Sequence, residues 1–158
     1  MYHAGIIQGS YVHNMNAMNT RLLVADYIKY RLDKEGLSWE NAPSLQEPGK
    51  VEKTMRVIGS EFEQRYNEVF TQMCNQLHIT PSNCQPTFVA IVGELFSDGI
   101  KWGRVVALFA FGGALAVQCV QREMPLLVDQ VLDWVTAYID NHLLSWILEH
   151  GNWVRQLS

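Results

Sequence analysis

Charge is scarce in this chain: 18% of its 158 residues are Asp, Glu, Lys or Arg, against about 25% in an average domain. A low charged fraction beside 48% hydrophobic residues excludes the disordered class, which needs the opposite balance. Cations are scarcer than anions, 12 against 16 for a net charge of −4, and they form no cluster. A nucleic-acid surface needs concentrated cations and is therefore not expected. Cysteine is limited to Cys74, Cys84 and Cys119, an odd number with no C-x-x-C pair, which reads as reduced thiols. Cys74 and His78 stand at i, i+4, but two ligands without two more make no zinc site. No metal or cofactor is expected. The catalytic signatures G-x-S-x-G, G-x-G-x-x-G, the P-loop and H-E-x-x-H are all missing, so an enzyme is not expected. Residues 1–18 are polar, read as flexible, and lack the apolar run of a signal peptide.

Long apolar runs are few as well. The longest, Val105 to Val117 (VVALFAFGGALAV), falls short of the about 18 residues of a membrane span and predicts a buried core helix. No segment alternates like a strand. Apolar residues instead recur at helical spacing, most clearly at Val51, Met55, Ile58, Phe62, Tyr66, Val69, Met73 and Leu77. A long amphipathic helix is predicted there, broken near its end. Thr20 to Gly36 predicts a helix behind cap residues Asn19 and Thr20, and 37–50 reads as a Pro- and Gly-bearing loop inside a single domain. Further helices are expected over Phe88 to Phe96, Trp102 to about Val120, from Pro125 onward, and His142 to His150. Gly59, Gly112 and Gly113 interrupt helices, which is tolerable where another backbone must come close. Glu61, Glu63 and Glu68 read as a solvated helix face. The expectation is one all-α domain in which amphipathic helices wrap a central apolar one.

One place breaks a local rule. Lys101 and Arg104 lie at the amino end of the apolar helix, where the macrodipole disfavours cations. Either an internal acid, Glu94 or Asp98, neutralises Arg104, or a partner supplies the carboxylate. An amphipathic helix laid in an apolar groove would bring such an acid.

The same residues carry a resemblance. ELFSDGIKWGRVVALFAFGG (Glu94 to Gly113) is similar to the first homology motif of the Bcl-2 family of apoptosis regulators. SWILEHGNW (Ser145 to Trp153) resembles the second, MRVIGSEF (Met55 to Phe62) the third, and LVADYIKYRL (Leu23 to Leu32) the fourth. The resemblance implies a bundle of about eight helices around a central hydrophobic hairpin, with a surface groove for the third-motif helix of pro-apoptotic partners (Bax/Bak-like or Bim-like). It implies that Arg104 pairs with the partner's Asp. Phe62, Tyr66, Phe70, Leu95, Val106, Ala107 and Phe111 would line the groove. Glu94 and Asp98 would meet basic residues, and Gly103 would admit the partner's backbone. Lys101 and Trp102 complete this contact set.

The chain departs from the family pattern at Lys101, where Asn is usual, at Ser60 in place of Asp, and at Asn152 in place of Gly. It also stops at Ser158, before the membrane anchor most members carry. The good fourth motif and Ser60 favour a pro-survival member, acting in the cytosol and at the cytoplasmic face of the mitochondrial outer membrane or the endoplasmic reticulum. The alternative is a Bax/Bak-type effector that oligomerises and permeabilises the outer membrane.

Overall fold

A computed structural model describes residues 20–157. The expected flexible start over 1–18, with His3 and His13, and the cap residue Asn19 lie outside the described residues. Among those described there are seven α-helices and no strand. They are α1 over 20–34, α2 Lys50–Leu77, α3 Cys84–Leu95, α4 Trp102–Gln121, α5 Leu127–Tyr138, α6 Leu144–Glu149 and α7 Asn152–Leu157.

The apolar run forms most of α4, and it lies at the centre. Val105, Leu108, Phe109 and Leu115 are fully buried, and burial of each such side chain contributes about 1.5–3 kcal/mol. α2 and α5 both pack along α4. With 20 residues and a mean hydropathy of 1.7, α4 is longer than the apolar run alone suggests, and is long and apolar enough to cross a membrane. Here 72% of that stretch is buried inside the protein, as befits a core helix. α4 and α5 form the central hairpin. Its turn places Glu123 at φ 63° and Pro125 two residues before α5 begins at Leu127, rather than inside the first turn of the helix.

The glycines are explained by side chains, not by the close helix backbones expected. The Tyr27 ring of α1 is wedged between α2 and α4. A Cβ on Gly59 would lie 2.5 Å from Tyr27 Cε1, and one on Gly113 2.7 Å from Tyr27 Cε2. Only glycine leaves that ring its place without overpacking. Gly112 faces Val135 of α5 at 3.1 Å in the same sense.

Beside this wedge sits an ion pair that corrects the reading of Glu63 as solvated. Glu63 is 5% exposed, and Arg31 of α1 is 8% exposed. Arg31 Nε donates to both carboxylate oxygens at 2.8 Å, Arg31 Nη2 donates to Oε2, and the Tyr27 hydroxyl donates to Oε1 at 3.4 Å. Burial and the Glu63 charge push the Tyr27 phenol far up, so it remains a donor. Burial works against the Arg31 charge, but the Glu63 hydrogen bonds and charge outweigh it and raise the guanidinium. A second pair, Arg56 to Asp26 at 2.6 and 2.9 Å, ties α2 to α1 nearby.

Three further expectations change. The irregularity in α2 sits at Tyr66 (φ −113°, ψ 16°), mid-helix rather than near the end. The segment expected as a separate helix over 142–150 is reached from α5 through a π turn, Ile139–Leu143. The loop over 37–49 is fastened to α5, since Trp39 Nε1 and Asn41 Nδ2 donate to Asp129 at 2.8 and 3.1 Å.

Candidate functional site

The site begins with a helix stripe that the core only half uses. Met55 of α2 is 1% exposed, yet Tyr66 and Val69 further along the same stripe are 39% and 52% exposed. From Phe62 to Met73 the apolar face looks into a cleft of about 360 Å³ between α2, α3 and α4, and the non-helical turn at Tyr66 lies within that stretch.

The α2 wall is Phe62, Tyr66, Val69, Phe70 and Met73; Ile91, Glu94 and Leu95 come from α3, and Ala107 and Phe111 from α4. Aromatic rings set the floor and rim. Phe62 lies 4.7 Å from Tyr66 and 6.4 Å from Phe70, and Phe70 lies 6.1 Å from Phe111 between ring centroids. Phe111 is in turn stacked on Phe88 of α3, which anchors the floor to the core. Ring pairs at such distances are worth about 0.5–1.5 kcal/mol beyond their burial. Glu94 is the one charged lining residue.

Of the thirteen residues picked from sequence, seven line this cleft: Phe62, Tyr66, Phe70, Glu94, Leu95, Ala107 and Phe111. Arg104 stands one turn before Ala107 on the same face of α4. Its Nη1 donates to the Leu95 carbonyl at 3.0 Å, fixing it at the end of the cleft where α3 gives way to α4. Its Nη2 reaches Asp98 Oδ2 at 3.5 Å. The Asp98 side chain is 79% exposed and that of Arg104 27%, so the pairing is long and wetted on the Asp98 side, and a pair of this kind contributes little. The internal acid is therefore Asp98, and it holds Arg104 loosely.

The remaining picks lie around this end. Lys101 is the exposed N-cap residue of α4. Gly103 is exposed, and nothing lies within 4 Å of where its Cβ would be. Val106 is half-buried against the core and is not a cleft-lining residue. Trp102 packs with Trp146 and Trp153 at 5.2 and 5.9 Å, so its ring braces α4 against α6 and α7 and stands outside the cleft lining. Val69, Met73 and Ile91 line the cleft without having been picked. Val69 and Met73 belong to the same α2 stripe, so their helical spacing already marked them. Ile91 had none beyond its place on an apolar helix.

Among the described residues no three His, Cys, Asp or Glu side chains converge as a metal would require. The cysteines are buried thiols. The Cys119 thiol donates to Cys84, which with burial holds Cys119 far up, and burial pushes Cys74 up. The same hydrogen bond from Cys119 draws the Cys84 thiol down, and all three cysteines are buried away from solvent. What the arrangement can do chemically is bind: an apolar trough with a cation at one end and a carboxylate on one wall.

Comparison with known proteins gives the family. The family model described as "Apoptosis regulator proteins, Bcl-2 family" matches residues 55–153, well over half the chain. The chain is 34% identical to Bcl-2-like protein 1 of Rattus norvegicus, over 87% of its own length and 80% of that protein's. It is 48% identical to Bcl-2-like protein 1 of Gallus gallus over 66% of this chain and 46% of the relative. It is 36% identical to apoptosis regulator R1 of Xenopus laevis over 86% of this chain and 59% of the relative. The chain thus spans about half the length of several relatives it matches. With a matched domain that contains the cleft, Arg104 and both arms of the central hairpin, the chain belongs to the Bcl-2 family of apoptosis regulators.

Proposed function

We propose that this chain is a pro-survival regulator that sequesters the amphipathic third-motif helix of pro-apoptotic family members in the α2–α3–α4 cleft. The observation that carries this reading is the cleft itself. Tyr66 and Val69 are large, exposed and contiguous with Phe62, Phe70 and Phe111, and exposed apolar surface of that kind marks an interaction site. Its occupant is an amphipathic helix, because apolar anchors at i, i+3, i+4 and i+7 fill a trough while polar residues face water.

Charge fixes the register. Arg104 receives the ligand's Asp, which displaces the loosely held Asp98, and the guanidinium fork is suited to a carboxylate. Glu94, and Asp98 once released, face basic residues of the incoming helix. The exposed, open backbone at Gly103 lets the ligand approach closely. Partners of this kind place the protein at the cytoplasmic face of the mitochondrial outer membrane.

Two measurements test the proposal. Calorimetric titration with synthetic helices of pro-apoptotic proteins should give submicromolar binding, and no binding to any of them would overturn it. Liposomes of mitochondrial composition decide the direction of action. A pro-survival member blocks dye release by a Bax-type effector, whereas release caused by this chain with an activator peptide would make it an effector instead.

A further inference from the structure

α4 opens with Lys101 as its N-cap residue and Arg104 within its first turn, and that turn contains no acid. The helix dipole disfavours cations at this end. Arg104 has compensation from the Leu95 carbonyl and Asp98. Lys101 has none: it is exposed, and its side chain makes no hydrogen bond or ion pair among the described residues. The Gly103 position between them is open, with nothing within 4 Å of an added Cβ. Arg104 in turn leads onto the cleft face through Ala107 and Phe111. The amino end of α4 therefore carries two cations a single turn apart, Arg104 held loosely by Asp98 and Lys101 without a side-chain partner among the described residues, while Glu94 stands on the cleft wall.

We propose that Lys101 is a specificity-determining contact that selects, among amphipathic helices fitting the cleft, those with a second carboxylate within one turn of the acid that meets Arg104. This rests on the reading of the cleft as a helix-binding site. Lysine suits the task because its ammonium is a mobile point charge on a flexible stem, tolerant of the exact position of the second acid. A rim cation of this kind acts chiefly on association rate and is screened by salt. The chain's net charge of −4 works against any general attraction for acidic peptides, so a gain must be local.

The test uses a synthetic amphipathic helix with a single Asp at the Arg104 position. A matched series adds one Glu at each position one, three or four residues away, and a control adds it on the solvent face. Each is titrated against the native chain and against Lys101→Gln, with association and dissociation rates recorded at several salt concentrations. At one or more positions the second acid should tighten binding to the native chain by about two- to fivefold. The gain should lie mainly in the association rate, shrink with salt, and vanish in Lys101→Gln. Equal affinity for all peptides, or a gain that persists in Lys101→Gln, would overturn the proposal while leaving the helix-binding cleft intact. Failure of even the single-Asp peptide to bind would overturn the cleft reading and this inference with it.

Discussion

Arg104→Ala should weaken binding of pro-apoptotic helices by about 2–5 kcal/mol, the range for truncating one member of a desolvated, hydrogen-bonded charge pair. That corresponds to a loss of roughly thirtyfold to several thousandfold in affinity. Much of the loss comes from the ligand's Asp, which would be left without a partner against the apolar cleft. The fold should barely notice. In the free chain Arg104 makes one hydrogen bond to the Leu95 carbonyl and a 3.5 Å contact to the exposed Asp98, neither of which anchors the core. Calorimetry for binding and thermal unfolding for stability separate the two effects. An Arg104→Ala chain that binds as tightly as the native one would show that the ligand acid lies elsewhere.

Glu63→Ala should have the reverse profile, a large loss of stability with no direct contact to the ligand. Removing the carboxylate leaves the Arg31 guanidinium, 8% exposed, with the half-exposed Glu35 at 3.5 Å as its remaining acid among the described residues, and takes away an acceptor for the Tyr27 hydroxyl. Breaking a buried pair in this way costs about 3–5 kcal/mol, or roughly 6–20 °C in Tm for a domain of this size. Replacing both residues with apolar ones of similar volume, Arg31→Met with Glu63→Leu, should recover most of the loss, because the desolvation penalty then disappears from both sides. Chemical denaturation of both single variants and the double variant measures the coupling. Additive losses would mean that the two side chains do not depend on one another.

The contrast between these residues explains what sequence could reveal. The all-α class and central helix were legible because an apolar run and a helical stripe are properties of single segments. Arg104 was legible because it breaks a rule about its own helix. Glu63 was not: it sits on a mostly polar face of α2, and what buries it is Tyr27 and Arg31, more than thirty residues away on α1. The break expected near the end of α2 was misplaced for a related reason, since the apolar spacing runs through Tyr66 without a change of phase. Periodicity says that Tyr66, Val69 and Met73 share a face with Met55. It does not say that the face turns from core to cleft between them. Trp102 shows the limit from the other side. It belongs to the same short motif as Arg104, yet successive helical positions point about 100° apart, and its ring packs with Trp146 and Trp153 instead of the cleft.

The central claim is that the α2–α3–α4 cleft is the occupied face, and nuclear magnetic resonance mapping tests it most directly. The native chain, isotope-labelled and titrated with a pro-apoptotic helix peptide, should show its largest shifts at Tyr66, Val69, Phe70, Ile91, Ala107 and Phe111. Arg104 should shift with them, while Leu126 at the far hairpin turn stays fixed. Saturable binding with the largest shifts outside that cleft would contradict the account.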